Sequence, residues 1–116
     1  MIEIRNLTKK RANTGTIKRL YGKIFNKKFK LSLVLVNPAL MRKLNKERLG
    51  KDKIADVLSF LYKEERAGEI FLNTSKKNLP YLFVHGSLHL LGYGHKKNKD
   101  TKKMERKELN ILNRTK

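Results

Sequence analysis

The chain contains no cysteine. That absence removes disulfide frameworks and thiolate ligands, so a transition-metal site has to be built from histidine and carboxylates. Acidic residues are scarce as well, with 10 Asp and Glu against 29 Lys and Arg, a formal net charge of +19. A field that basic attracts polyanions, and nucleic acid is the commonest of them; a general lysine bias would give the same total. Gly and Pro are not enriched, at 7 and 2 residues, which excludes collagen-like and Pro/Gly low-complexity chains. No apolar run approaches the ~20 residues of a membrane span. The opening "MIEIRNLTKK" has no apolar core of a secretory signal, so the expected location is the cytoplasm, with no membrane partner. Histidine is nearly absent too: the three present lie between residues 85 and 95.

What is there fits one domain over residues 1–116 with a modest core. "MIEIRN" alternates apolar and polar residues and reads as a first strand. Ile17, Leu20, Tyr21, Ile24 and Phe25 recur at helical spacing. "KLSLVLVN", residues 30 to 37, is a β-branched strand covered on at least one face. Asn37-Pro38 then opens a helix that Gly50 ends. A strand over about Val57–Tyr62, the turn "KEERAG" and the strand "EIFLN" make an antiparallel hairpin. "YLFVHGSLHLLG" has an apolar helical register, and a polar loop leads to a last helix. That helix can turn Met104, Leu109 and Leu112 to the core and can be capped by Asp100 or Thr101. The expected fold class is α+β: a small, mostly antiparallel or mixed sheet of about four strands packed with helices.

The histidines carry the chemistry. His85 and His89 stand four apart, one turn along one helix face, with Cβ atoms about 5–6 Å apart. Gly92 is placed to end that helix in the left-handed conformation. The chain can then turn back and bring His95 to the same ion. Three imidazoles and an open position are the pattern of catalytic rather than structural zinc. The competing reading is a pair of packed histidines and a solvated third. The spacing H-x₃-H-x₅-H also resembles the long zincin motif of metalloproteases, but the position of the zincin glutamate, its general base, is Gly86 here.

Residues 85–95, "HGSLHLLGYGH", resemble the signature H-G-x-L-H-L-x-G-Y-D-H of the YbeY family, zinc endoribonucleases of bacterial rRNA maturation. "LNKERLGKDKIADVLSF" (44 to 60), "GEIFLN" (68 to 73) and "MERKEL" (104 to 109) are similar to further family stretches in the same order. The chain departs from the pattern in four places, one of them Ile54 and Ala55 where the family has Pro and Thr. Gly94 replaces the signature Asp, Leu49 occupies the place of an Arg with Arg48 beside it, and the segment from Asn73 to Leu82 is short for the helix that usually precedes the signature.

The resemblance implies one zinc per chain on His85, His89 and His95. It implies single-stranded RNA as substrate, within rRNA and the ribosomal small subunit, and a zinc-activated water that attacks the phosphodiester. Arg48 and Lys51, with Lys53, are candidate contacts to the RNA backbone, and a solvated basic loop is the alternative for each. Asp56 and Ser59 read as turn and strand residues rather than as acid and nucleophile. Glu69 opens a strand and can reach toward the metal cleft. Two other functions stay open: a non-catalytic, zinc-containing RNA- or ribosome-binding protein, and a metal-dependent hydrolase of another bond such as a peptide.

Overall fold

The structure, a computed structural model, describes residues 1–92, 106, 107 and 110–112. The chain runs β1 (Ile2–Asn6), α1 (Thr14–Ile24), β2 (Lys30–Val36), α2 (Pro38–Leu49), β3 (Val57–Tyr62), β4 (Ala67–Asn73) and α3 (Leu79–Leu90). The four strands form one sheet in the order β1-β2-β4-β3. The expected hairpin is present, with β3 antiparallel to β4, but β1–β2 and β2–β4 are parallel. The sheet is therefore mixed, with parallel pairing in the majority. Periodicity identifies strands and not their neighbours. β3 steps out to the edge and leaves β4 to pair with β2.

Both central strands are buried on two faces, which explains the near-continuous apolar run of β2. Leu31, Leu33 and Leu35 of β2 and Ile70 and Leu72 of β4 meet α1 and α3. Val34, Val36 and Phe71 point the other way and, with Leu58, pack with Met41 of α2. The helices begin and end where the chain supplies the caps. Asn13, Asn37 and Asn78 each accept a backbone N–H of the first turn. Gly50 ends α2 at φ +68, a left-handed conformation that favours glycine. Residues 110–112 are helical, and Ile111 and Leu112 join the α1–α3 core. Met104, Leu109, Asp100 and Thr101 lie outside the described residues. Among the described residues, no helix is long and apolar enough to cross a membrane.

Two buried asparagines shape the loop between α2 and β3. Asn45 Nδ2 donates to the Lys53 carbonyl at 3.0 Å. Asn73 is fully buried; its backbone N–H donates to Asp56 O at 3.0 Å and its Nδ2 to Ala55 O at 3.4 Å. Asn45 ties residue 53 to α2, and Asn73 ties residues 55 and 56 to β4, so residues 53–56 are held as one wall of a cleft beside α3.

Candidate active site

α3 buries Phe83, Val84, Gly86, Ser87, Leu88 and Leu90. The remaining stripe carries Tyr81, His85 and His89 at successive fourth positions, so the three rings line up along one side. The Tyr81 and His85 rings are stacked with centroids 6.2 Å apart. The His85 and His89 rings meet edge-on at 4.7 Å, and their Nε2 atoms are 3.1 Å apart. Two nitrogens bound to one zinc at ~2.0–2.1 Å would stand roughly 3.3 Å apart in tetrahedral geometry. The pair thus fits two adjacent ligand positions of one ion. His85 opens into a cleft of about 400 Å³ that is also lined by Ile54, Asp56, Val57, Tyr81 and Leu82.

The height at which α3 sits on the sheet is set by Gly86. A Cβ at this position would lie 2.8 Å from both Ser59 Oγ and Val57 Cγ2. Ser59 Oγ instead donates a 3.0 Å hydrogen bond to the Gly86 carbonyl. Ser59 is thus a latch between β3 and α3, in line with its reading as a strand residue rather than a nucleophile. The same contact leaves no room for a zincin-type glutamate after the first histidine. At the far end Gly92 takes φ +95, and its N–H donates to His89 O at 3.0 Å. The helix thus ends in the left-handed turn that its glycine implies.

His95 and Gly94 lie outside the described residues. Among the described residues, no group of three or more His, Asp or Glu is gathered to hold an ion. Asp56 is in the cleft, but its carboxylate faces Lys76 Nζ at 3.5 Å.

Arg48 and Glu69 are placed together, away from the histidines. Glu69 shares the β4 face of Phe71, which packs with α2, whereas α3 covers the opposite face. Arg48 Nη1 donates to Glu69 Oε1 at 3.1 Å, and its guanidinium lies 4.8 Å from the Phe60 ring centroid and 5.3 Å from that of Phe71. The Tyr62 hydroxyl donates to the same Glu69 oxygen at 2.5 Å. That bond first, with partial burial, holds the Tyr62 phenol above its ordinary pKa. The expectation that Glu69 reaches the metal cleft is therefore corrected, because strand alternation turns it through the other side of the sheet. Lys51 and Lys53 are exposed in the α2–β3 loop. Tyr81, not among the residues expected from sequence, lines the cleft and stacks on His85. Its signal was available in the spacing, four residues before His85.

The family model "Endoribonuclease YbeY" matches residues 3–76 and 65–116. The two stretches overlap across the end of the β3–β4 turn, β4 and the residues just after it, and the chain passes from β4 to α3 through residues 74–78 alone. The chain is 35% identical over 136 positions to the endoribonuclease YbeY of Neorickettsia sennetsu, covering 97% of this chain and 95% of that protein. The aligned length exceeds the 116 residues of this chain, so the relative carries residues absent here. To the endoribonuclease YbeY of Pelagibacter ubique it is 36% identical over 106 positions, covering 74% of this chain and 69% of that protein. The solution structure of TM1509 from Thermotoga maritima has the same fold, with a TM-score of 0.63 at 24% identity over 99% of this chain and 89% of that one.

Proposed function

This chain belongs to the YbeY endoribonuclease family, and on that premise we propose that it is a zinc-dependent endoribonuclease cutting single-stranded RNA in rRNA maturation and ribosome quality control. The observation that carries the reading is the 3.1 Å approach of His85 and His89 Nε2 beside an open cleft. His85, His89 and His95 would hold one zinc ion, with the rest of its coordination open to substrate. When bound, a zinc ion on three imidazoles lowers the pKa of a water and polarises a phosphoryl oxygen.

The chain's own residues supply the rest. Gly86 and Ser59 fix the distance of both imidazoles from β3. Asn45 and Asn73 hold the cleft wall. Lys51 stands exposed in the loop leading to that wall and is a candidate for a phosphate contact. Arg48 is engaged with Glu69 on the other sheet face and acts there as a packing cation. No histidine exists outside positions 85, 89 and 95, so a pair of free imidazoles for transesterification is lacking. Cleavage products without a 2′,3′-cyclic phosphate are accordingly expected. Peptide hydrolysis by a zincin route is disfavoured, since Gly86 has no space for the required glutamate.

The test is zinc analysis and cleavage of a single-stranded RNA on one preparation. About one zinc per chain and cleavage abolished by chelation are expected, with both lost in His85→Ala/His89→Ala. Full zinc retention in the double variant would overturn the site. Zinc-loaded protein that binds RNA without cutting it would favour the binding-only reading, to which Gly94 and Leu49 lend weight as departures from the family pattern.

A further inference from the structure

A second cleft, of about 270 Å³, opens at the β3–β4 turn and is lined by Asn26, Lys28, Phe29, Leu61, Lys63 and Arg66. Three of its six lining residues are exposed cations and none is acidic, although Glu64 and Glu65 lie within the same turn. Among the described residues the ion pairs do not involve Lys28, Lys63 or Arg66. Arg66 takes φ +51, the left-handed conformation that turn chemistry normally gives to glycine or asparagine. The turn thus bears backbone strain at a residue that places a guanidinium on the cleft.

The cleft adjoins the histidine helix. Leu61 pairs with Gly68. A Cβ on Gly68 would meet Leu90 Cδ1 at 2.9 Å and Phe29 Cζ at 3.2 Å. Leu90 follows His89 in the chain. From Ser59, latched to α3, the β3 strand leads to Lys63 in four residues, about 13 Å at the strand rise. The two clefts therefore lie along the same outer edge of the sheet, with His85 and His89 beside the path between them.

We propose that the Lys28–Lys63–Arg66 cleft is a subsite for the phosphate backbone of single-stranded RNA, which runs along β3 so that one stretch is held here while another lies at His85 and His89. This deepens the endoribonuclease reading and rests on it for the choice of RNA. Charge complementarity selects a polyanion, and the apolar floor of Phe29 and Leu61 suits unpaired bases.

The experiment uses the full chain, a short fluorescein-labelled oligouridylate and EDTA, so that binding is read without cleavage. The variant Lys63→Gln/Arg66→Gly removes two cations and gives the turn a residue suited to its backbone, so folding is preserved. Lys9→Gln/Lys10→Gln removes two exposed charges just past β1, at the opposite edge of the sheet. The cleft variant should bind roughly fivefold or more weakly at low salt. Its plot of log affinity against log salt should be shallower by about 1.4, from two contacts at about 0.7 each on a single strand. The control should lose less than about twofold, a bound on the diffuse part of the field. Equal losses in the two variants, or an unchanged slope in the cleft variant, would overturn the subsite. So would binding of polyglutamate with the same dependence on Lys63 and Arg66 while RNA binding is unaffected, which would assign the cleft to an acidic polypeptide. A wild-type protein that never cuts RNA but shows the slope change would remove the nuclease reading and leave the subsite standing.

Discussion

Gly86 is under two opposed pressures. Alanine there would favour the helix by about 1 kcal/mol over glycine. Its Cβ would also enter a contact only 2.8 Å from Ser59 Oγ and Val57 Cγ2, and overpacking of that kind costs roughly 1–3 kcal/mol. The clash is expected to win, because Val57 lies on a paired strand and Ser59 is held by its own hydrogen bond. Gly86→Ala should be less stable by about 1 kcal/mol in urea unfolding and should bind zinc more weakly; an increase in stability would show that α3 can lift without consequence. The asparagines act at the same scale. Asn73→Ala removes a fully buried amide that accepts from Ser75 N and Oγ and donates to Ala55. Leaving those groups unmatched costs about 1–3 kcal/mol. Hydrogen exchange should speed up in residues 53–56 before it does in β2.

Among the elements, the turns offer a matched pair of tests. Gly50 and Arg66 both take positive φ, at +68 and +51, one with the residue suited to it and one without. A side chain in that region costs roughly 1–2 kcal/mol. Gly50→Ala should therefore destabilise by about 1 kcal/mol, while Arg66→Gly should be neutral to stabilising by up to about 1 kcal/mol. Guanidinium titrations of the two variants measure both. Loss of stability in Arg66→Gly would mean that the guanidinium makes a structural contact worth more than the strain.

For the whole molecule, the formal charge of +19 is spread over a chain with few acids to oppose it. Affinity for single-stranded RNA should fall steeply with salt. A slope steeper than about −2 in log affinity against log salt corresponds to three or more phosphate contacts at about 0.7 each. Salt-independent binding would mean that the basic surface is not the source of affinity. Duplex RNA is the useful comparison, since both clefts line one narrow sheet edge beside a helix. Weaker binding of the duplex at equal charge is expected.

Strands, helices and the two ends of α2 were legible in the sequence because each depends on a local pattern, whereas the Asn13 and Asn78 caps were found only in the structure. β3 spans Val57–Tyr62 as periodicity proposed, and α2 runs from Pro38 to the residue before Gly50. The His85–His89 pair was legible for the same reason: a spacing of four on a helix is itself a statement about distance. Strand neighbours were not, because parallel pairing of β1, β2 and β4 depends on where α1, α2 and β3 pack. Nor was the side of the sheet on which Arg48 and Glu69 meet. Alternation says that Glu69 and Ile70 face opposite ways, but only the packing of α2 against one face and α3 against the other decides which of them can look toward the histidines. Lys28 comes together with Lys63 and Arg66 for a similar reason. Lys28 is far along the chain from the other two, and their meeting required the α1–β2 turn and the β3–β4 turn to emerge at the same end of the sheet.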